Sequence, residues 1–422
     1  MAGSALVSER SPLIVELEGT LLRCDLTLES AIEVVRRQPW QLLRAVCGAL
    51  RSKAALEQIA DTAQIDVTVL PYEPKALSEI AAARADGRPV VLVAANLHAL
   101  SGRIAAHLQL FDQVRITNTG PIPSGPNRQI RVKDWMNALR VHQWVKNALV
   151  FVPLLAAHQF TNPTQLWLGT LAFLFFGLCA SSAYLVNDLL DLEDDRHHAS
   201  KRRRPFASGR LTVKWGLIAF PLLLFAAFAG ALLLMPWQFV IALGVYHALT
   251  LSYSLVLKRY IALDVITLAM LYTIRVIAGG AAFGLPLTFW LLAFSMFMFL
   301  SLALCKRYAE LREALQNGRS GKARGRGYDP NDLEMISSLG AASGYQAVLV
   351  LALYVRDQST VALYGQPQII WLACPVLLFW ITRVWMLTHR GQMHDDPVVF
   401  AVSDRVSLIA GVLFCIVFFA AA

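Results

Sequence analysis

Residues 166–195 read LWLGTLAFLFFGLCASSAYLVNDLLDLEDD, an apolar run that ends in four aspartates and one glutamate. The apolar part is long enough for a helix that crosses a bilayer, which takes about 20 residues. Asp188, Asp191 and Asp195 follow at spacings of three and four, so on a helix their side chains share one face. Carboxylates at this spacing suit Mg²⁺, which binds one or two of them together with substrate phosphates. We therefore predict a membrane helix with a magnesium site, formed by these aspartates, at its end.

The same acids are also compatible with a solvated helix end, in which they would pair with the Lys and Arg residues that follow. Their position directly after an apolar span favours the site, because acidic side chains at membrane depth usually belong to a pathway or a site.

Similar apolar runs fill most of the chain after residue 145. The 422 residues are 56% hydrophobic and 16% charged, whereas a soluble domain carries about a quarter charged residues. We predict a mainly α-helical fold, a polytopic membrane helix bundle of about nine spans. Their approximate limits are 146–161, 166–190, 212–234, 237–257, 260–283, 286–306, 333–355, 367–387 and 399–421.

The distribution of basic residues predicts the orientation. Lys and Arg are dense in 191–210 and 306–328, and the connections at 162–165, 235–236 and 284–285 contain none. With nine spans, both basic loops and the N-terminal part lie on one side, which the positive-inside rule makes the cytoplasm. This bias also explains the net charge of +9, so we expect no nucleic-acid binding and predict a multi-pass protein of the inner or plasma membrane. The N-terminus has no cleavable signal peptide pattern, and the six scattered cysteines predict neither disulfides nor a zinc site.

Fixed cations follow the aspartates in KRRRPFASG, residues 201–209. Lys201 and Arg204 beside a metal-binding carboxylate group predict a site for a diphosphate leaving group, because the metal and the cations stabilise the developing charge. Asn187 stands next to the first aspartate and is included in this site. The positive-inside bias alone explains Arg202 and Arg203.

A second candidate cluster surrounds the fifth span. Tyr253 and Lys258 end the fourth span, and Asp264, Tyr272 and Arg275 follow at spacings that allow one shared face. An arginine deep in an apolar helix needs an anionic partner. A substrate phosphate and an internal carboxylate both remain open as that partner.

Two smaller groups complete the candidate residues. The first is CKRYAEL at 305–311, with Lys306 at the cytoplasmic end of the sixth span. The second is the adjacent pair Asp404 and Arg405, which could pair with each other, pair with neighbouring helices or serve function.

The pattern NDxxDxxxD followed by KxxRPxAxG resembles the UbiA superfamily of intramembrane prenyltransferases, over about residues 130–422. HQWVKN at 142–147, YSxxLK at 253–258 and KRYAEL at 306–311 are similar to its decaprenyl-phosphate phosphoribosyltransferase branch. That resemblance implies transfer of 5-phosphoribose from phosphoribosyl diphosphate to a polyprenyl phosphate, with Mg²⁺ on Asp188, Asp191 and Asp195. It further implies a catalytic role for Asp264. It implies phosphate contacts for Asn187, Lys146, Lys201, Arg204, Tyr253, Lys258, Tyr272, Arg275 and Lys306.

One departure bears on the choice of donor. The second aspartate motif of aromatic prenyltransferases is typically DxxxD, but Leu268 stands four residues after Asp264. A sugar diphosphate donor is therefore favoured over a prenyl diphosphate. The alternatives are a prenyltransferase with an aromatic or other small acceptor, and a non-catalytic transporter or lipid-binding protein.

Residues 1–125 predict a small α/β domain with a parallel sheet. Three strand-like runs, SPLIVELEGTLL, RPVVLVAANLHAL and FDQVRIT, alternate with helical stretches at 28–63 and 76–87. ELEGT at 16–20 is similar to the DxDGT motif of haloacid-dehalogenase-like phosphatases, with Glu16 and Glu18 in place of the aspartates. Ala94 and Ala95 replace the expected Ser or Thr, so the resemblance implies a truncated, inert copy.

The domain therefore has a scaffold, docking or regulatory role by default, and a homo-oligomer or a partner protein bound through it remains open. A Pro/Gly/Asn linker and a basic, Trp-containing interfacial helix occupy 126–145. The transferase domain is predicted to cover 146–422.

Overall fold

A computed structural model of the protein describes residues 11–37, 63–94, 98–117, 131–198, 200–316, 327–355, 357, 364–393 and 396–421. By their internal contacts the residues divide into two compact units. The first unit comprises Met1–Arg140 with Tyr184–Leu222, and the second comprises Val141–Ala183 with Leu223–Ala422.

The secondary structure is mainly α-helical. In chain order the α-helices are α1 Leu26–Arg37, α2 Pro74–Ala85, α3 His98–Leu108, α4 Val132–Ala138, α5 Val152–Ala156, α6 Pro163–Leu190, α7 Leu192–His197, α8 Val213–Leu234, α9 Trp237–Leu255, α10 Leu263–Phe283, α11 Phe289–Gln316, α12 Leu333–Tyr354, α13 Ala373–His389, α14 Pro397–Ser403 and α15 Arg405–Ala421. Short 3₁₀ segments are Val67–Val69, Val141–Phe151, Lys201–Arg203, Leu257–Arg259, Pro330–Asp332 and Pro367–Leu372.

The first unit contains the predicted parallel sheet. Its strands are β1 Leu13–Glu16, β2 Val90–Ala94 and β3 Gln113–Ile116, in the order β1-β2-β3. The apolar strand β2 lies in the centre and is almost entirely buried, as a middle strand of a parallel sheet requires. The structure confirms the three predicted strands and their parallel arrangement.

Helices α1 and α2 correspond to the predicted helical stretches at 28–63 and 76–87. Of the first stretch, residues 38–62 lie outside the described residues, as do Ala95 and residues 118–130 of the predicted linker. The predicted interfacial helix at 129–145 is shorter than expected, because α4 ends at Ala138 and Arg140 has a φ of 49°.

Seven helices among the described residues are long and apolar enough to cross a membrane, and α14 with α15 makes eight if this pair, bent by 83°, is one span. The predicted spans from 166–190 onwards each match one of them. Helix α11 extends to Gln316, ten residues beyond the predicted end at 306. Of the basic loop that follows it, residues 317–326 lie outside the described residues.

The predicted span at 146–161 is not a membrane α-helix. The chain there forms the 3₁₀ segment Val141–Phe151 and the short helix α5. The prediction counted apolar residues, but Lys146 and Asn147 are both buried within this segment. A lipid-facing helix would expose such polar groups, whereas a segment packed against protein gives them partners.

This 3₁₀ segment nevertheless runs antiparallel along α6. Trp144 donates to the Ser181 hydroxyl at 3.0 Å. Further along, Phe151 lies so close to Gly169 that a Cβ there would be 2.3 Å from its ring. Residues 169 and 181 are twelve positions apart, which is about 18 Å along a helix. The chain therefore passes beside α6 in the region of the predicted span, with a tighter backbone than an α-helix has.

Candidate active site

The three aspartates of the predicted metal site lie where two helices meet. Helix α6 ends at Leu190, Asp191 is the N-cap of α7, and Asp195 lies within α7. Backbone hydrogen bonds continue across the junction, from Asp191 N to Asn187 O at 2.9 Å and from Asp195 N to Asp191 O at 2.8 Å. The helical spacing is thus preserved although the helix is interrupted. Asp188 and Asp195 are buried, with exposures of 2% and 3%.

Two guanidinium groups bind these carboxylates. Arg204 Nη1 lies 3.1 Å from Asp188 Oδ1 and 2.6 Å from Asp195 Oδ2. Arg140 also donates to Asp188, and its guanidinium lies 4.8 Å from the centre of the Tyr184 ring. Arg204 was predicted to belong to this site, whereas Arg140 was not. The basic interfacial segment that contains Arg140 gave no sign that one of its cations would turn inward.

The environment of Asp195 shows how strongly this site favours a cation. Burial raises the pKa of its carboxyl to about 6, a shift that the charge of Arg204 opposes and that of Asp188 increases. Two buried carboxylates at close range repel each other unless a cation lies between them. Here the cation is the Arg204 guanidinium.

These residues fit a divalent cation held by two carboxylates. Asp188 and Asp195 already converge on one nitrogen of Arg204, and Mg²⁺ is typically held by one or two carboxylates plus phosphate oxygens. Within the described ranges, no group of three His, Cys, Asp or Glu side chains is arranged to hold a metal. The metal site on all three aspartates therefore remains a prediction.

Two other predicted residues flank this group. Asn187 is half-buried near the end of α6 and accepts the Asp191 N–H through its backbone oxygen. Lys201 is half-buried and opens the 3₁₀ turn Lys201–Arg203, which leads into Arg204. The basic segment thus returns to the aspartates through Arg204.

The second unit contains a separate charged cluster around Asp396, a residue absent from the sequence prediction. Its Oδ2 accepts from Lys146 Nζ at 2.7 Å and from Lys306 Nζ at 2.9 Å, and the Tyr272 hydroxyl lies 3.0 Å from Oδ1. Burial by itself would raise the pKa of Asp396, but Lys306 and Lys146 lower it far below its usual range. The sequence around Asp396 gives only a structural signal, since an aspartate followed by Pro397 is a typical start of a helix.

Arg275 extends this cluster. Its guanidinium donates to Asn147 Oδ1 at 3.1 Å, to Tyr246 Oη at 2.9 Å and to the Leu271 carbonyl, all neutral acceptors. Lys146 Nζ and the Arg275 guanidinium lie 5.6 and 5.7 Å from the centre of the Tyr272 ring. These contacts therefore join Arg275 to neutral groups and leave its charge available to an anion.

Asn147 has an unmatched donor. It is 1% exposed, and its Nδ2 is buried without a hydrogen-bond partner in the described structure. A buried polar group without a partner costs about 1–3 kcal/mol. Such a group beside Arg275 indicates a binding position for an acceptor oxygen.

Asp264 belongs to a third group. It accepts from the Tyr253 hydroxyl at 2.8 Å and pairs with Arg307, which is 1% exposed and also binds Glu310. The sequence suggested one face for Asp264, Tyr272 and Arg275, but the side-chain contacts described above divide these residues between two groups.

Two remaining candidates have simple positions. Lys258 lies half-buried in the 3₁₀ turn Leu257–Arg259. Asp404 pairs with Arg383 of α13 at 2.7 and 3.1 Å, which is the predicted alternative of a partner on a neighbouring helix.

Apolar helices with buried carboxylates and cations at their ends define a multi-pass membrane protein with a charged site. The chain belongs to the UbiA prenyltransferase family, whose family model matches residues 148–409. It is a transferase of the UbiA superfamily, as the sequence motifs predicted, and its helical membrane fold is confirmed.

Relatives and a solved structure support this assignment. The chain is 34% identical over 462 aligned residues to the uncharacterized protein y4nM of Sinorhizobium fredii, covering 95% of this chain and 89% of that protein. It is 31% identical over 306 residues to the decaprenyl-phosphate phosphoribosyltransferase of Mycolicibacterium smegmatis, covering 70% and 94%. A UbiA homolog from Archaeoglobus fulgidus bound to GPP and Mg²⁺ shares the fold, with a TM-score of 0.51, 16% identity and coverage of 68% of this chain and 99% of that one.

Proposed function

We propose that the protein transfers 5-phosphoribose from phosphoribosyl diphosphate to a polyprenyl phosphate, in a reaction that requires Mg²⁺. The bond from the anomeric carbon to the diphosphate oxygen breaks, and diphosphate leaves with the electron pair. A new bond forms between that carbon and a phosphate oxygen of the lipid. The similarity to a decaprenyl-phosphate phosphoribosyltransferase over 94% of its length supports this choice.

The donor diphosphate is assigned to the aspartate group. Asp188, Asp191 and Asp195 would hold Mg²⁺, which supplies Lewis acidity toward the leaving diphosphate. Arg204 lies against two of these carboxylates and would move to the diphosphate oxygens when the metal takes its place. Lys201 and Asn187 would contact the same phosphates.

The acceptor phosphate is assigned to the Asp396 cluster, and the charge of this cluster is the observation that carries the proposal. Lys306 and Arg275 supply two positive charges against the one negative charge of Asp396, and Lys146, whose pKa burial lowers to about 7, is a third basic group. A buried excess of positive charge is costly unless an anion neutralises it. A lipid phosphate would do so, and it would also accept the unmatched N–H of Asn147.

The acceptor needs no strong base, because its phosphate is already an anion. The residues of the cluster have to hold that oxygen in line with the anomeric carbon, which is catalysis by positioning. Tyr272 takes part through its hydroxyl, which binds Asp396. We further propose phosphate contacts for Tyr253 and Lys258 and a catalytic role for Asp264 on the family resemblance.

An aromatic prenyltransferase is the second candidate. It would use a second carboxylate pair to bind a prenyl diphosphate through another metal. In this chain Asp264 is paired with Arg307, and Leu268 stands where the second carboxylate of that motif would be. These two observations favour the sugar diphosphate as donor.

We also propose that the aspartate group and the N-terminal domain face the cytoplasm, since the basic loops have the bias of cytoplasmic loops. The N-terminal domain is proposed to be an inactive haloacid-dehalogenase-like domain. Its Glu18 carboxylate accepts the Leu26 N–H at 2.8 Å, which supports a structural use of this side chain at the start of α1.

The test uses the full-length protein in lipid nanodiscs with Mg²⁺, polyprenyl phosphate and radiolabelled phosphoribosyl diphosphate. We expect labelled lipid, which is lost on chelation of Mg²⁺. Asp195→Asn should reduce the rate by more than about a hundred-fold, because it removes a ligand of the leaving-group metal. Asp112→Asn is the control, since this carboxylate accepts the Val90 N–H within the N-terminal sheet, and it should retain most activity.

Two results would contradict the proposal. Consumption of a prenyl diphosphate with an aromatic acceptor, without labelling of the lipid phosphate, would establish the second candidate. Full activity in both Asp191→Ala and Asp195→Ala would show that the metal site lies elsewhere.

A further inference from the structure

Helix α7, which contains Asp195, cannot be stable through its own backbone. It has six residues, whereas isolated helices of fewer than about 12 residues are marginal in water. Asp191 and Asp195 stand four residues apart, where like charges on a helix repel each other. Besides the backbone hydrogen bonds that continue from α6, contacts from outside the helix are therefore needed to hold the side chain of Asp195.

The N-terminal domain provides the innermost of these contacts through Glu29 on α1. Both terminal nitrogens of Arg196 donate to the two oxygens of Glu29, at 2.9 and 2.8 Å, and both side chains are buried. The third nitrogen, Nε, donates to the Ala207 carbonyl at 3.1 Å. Arg196 directly follows Asp195. Its side chain thus joins α7 to α1 and to the chain just beyond Arg204.

A second layer surrounds this pair. Arg36 of α1 binds Asp194 at 2.9 Å and Glu193 at 3.4 Å, and it also pairs with Glu33 on its own helix. His197 lies 3.0 Å from Asp66, which precedes the Val67–Val69 turn. The polar side chains at 193, 194, 196 and 197 are therefore all bound to residues of the N-terminal domain.

Asp195 is the exception within the helix. Its carboxylate binds Arg204 at 2.6 Å, whereas its neighbours bind residues of the N-terminal domain. Because the residues on either side are fixed to α1 and to Asp66, the direction of the Asp195 side chain follows from those pairs.

The other end of the basic segment also abuts the N-terminal domain. Gly209 has a φ of +68°, and a Cβ at this position would lie 2.5 Å from Arg23 Cβ and 2.8 Å from Arg23 O. The backbone after Arg204 therefore approaches Arg23, in the connection between β1 and α1, so closely that only a glycine fits at position 209.

We infer that the N-terminal domain is a built-in brace for residues 192–209, in which Glu29 and Arg196 are positioning residues that hold Asp195 in place to bind the metal. This role requires no phosphatase chemistry from the domain. The inference rests on the proposed function, because it assigns Asp195 to the metal.

The experiment compares wild type with Glu29→Gln in the full-length protein. Gln keeps the shape of Glu29 but removes its charge and one acceptor. Asp112→Asn is the matched control, because this carboxylate binds Val90 N within the N-terminal sheet. The first readout is trypsin cleavage at Lys201, Arg202 and Arg203 in folded protein, and the second is Mn²⁺ binding with diphosphate present, followed by electron paramagnetic resonance.

We expect Glu29→Gln to be cleaved faster in 201–203 and to bind Mn²⁺ about 10–100-fold more weakly, the usual loss when a supporting partner of a metal ligand is removed. Asp112→Asn should match wild type in both measurements. If Glu29→Gln does not fold, Arg36→Gln serves instead, since it removes only the outer pairs and should show the same changes at smaller size.

The outcomes separate the two proposals. If wild type binds Mn²⁺ and the variants bind it equally well, the brace is refuted and the proposed metal site stands. If wild type binds no Mn²⁺, the proposed metal site is wrong, and the inference that Glu29 positions it falls as well. Equal loss in Asp112→Asn would also refute the inference, because general damage to the domain would then explain the effect.

Discussion

Lys146 and Asp396 are 250 residues apart in the chain, and their side chains meet at 2.7 Å in the second unit. Lys306 binds the same carboxylate oxygen at 2.9 Å, so one aspartate holds two ammonium groups together. Lys146 is buried and Lys306 is partly exposed, and two ammonium groups on one oxygen would repel each other without that negative charge. The cationic cluster therefore requires Asp396, and we expect the loss of this carboxylate to lower the free energy of unfolding.

We expect Asp396→Asn to be destabilised by about 3–5 kcal/mol without ligand, since removing one member of a buried ion pair leaves an uncompensated charge. Inorganic phosphate should restore stability more in the variant than in wild type, because the anion replaces the lost carboxylate. Heating followed by size-exclusion chromatography measures both effects.

Asp404→Asn is the control for this variant. Its pair with Arg383 is more exposed, with about a fifth of each side chain accessible, and should contribute about 1 kcal/mol or less. Equal stability of Asp396→Asn and wild type, or no greater response to phosphate, would show that the cluster does not need its internal anion.

A second prediction concerns Asn147 and Arg275. Asn147→Asp keeps the shape of the side chain, gives Arg275 a carboxylate partner and removes the unmatched amide donor. The variant should be at least as stable as wild type, because a buried amide N–H without a partner is replaced by an ion pair with Arg275. The KM for polyprenyl phosphate should rise about ten-fold or more, since the new charge repels the phosphate, while the KM for phosphoribosyl diphosphate changes little.

Asn162→Asp is the matched change at an exposed asparagine before α6, and it should leave both KM values unaltered. If Asn147→Asp raised the KM for the sugar donor and not for the lipid, the assignment of the two clusters to the two substrates would be reversed.

The sequence predicted some parts of this molecule better than others, for physical reasons. The length of the apolar runs and the spacing of their apolar residues identified the long helices and the strands of the sheet. Such runs have to be buried, and few secondary structures can bury them. Asp188, Asp195 and Arg204 were recognisable together because they are local in sequence. Asp396 and Arg140 were missed, since their partners are distant in the chain and their types are ordinary at helix ends. The Val141–Phe151 segment was predicted as a span because hydropathy does not distinguish an α-helix from a 3₁₀ segment packed on protein.

A third prediction concerns the N-terminal domain. Full-length protein should hydrolyse p-nitrophenyl phosphate with Mg²⁺ no faster than Glu16→Gln does, because the longer carboxylate of glutamate misplaces a nucleophile by about a methylene. Glu18→Gln should instead cost about 1 kcal/mol of stability, since the carboxylate accepts the first N–H of α1. Mg²⁺-dependent turnover that is lost in Glu16→Gln would show an active phosphatase.

The last prediction tests the packing of the 3₁₀ segment against α10. A Cβ on Gly279 would lie 2.0 Å from the Val150 carbonyl oxygen and 3.2 Å from Pro153 Cδ, so two backbones meet here with no room for a methyl group. Gly279→Ala should lower the free energy of unfolding by about 3 kcal/mol, at the upper end of overpacking penalties, and should lower the melting temperature and the yield of folded protein.

Because Lys146 and Asn147 lie on the same 3₁₀ segment, the KM of Gly279→Ala for polyprenyl phosphate should rise as well. Gly411→Ala on α15, where a Cβ meets nothing within 4 Å, should leave stability and KM unchanged. Equal behaviour of the two variants would mean that the segment does not approach α10 in the folded protein, and the phosphate contacts assigned to Lys146 and Asn147 would lose their structural basis.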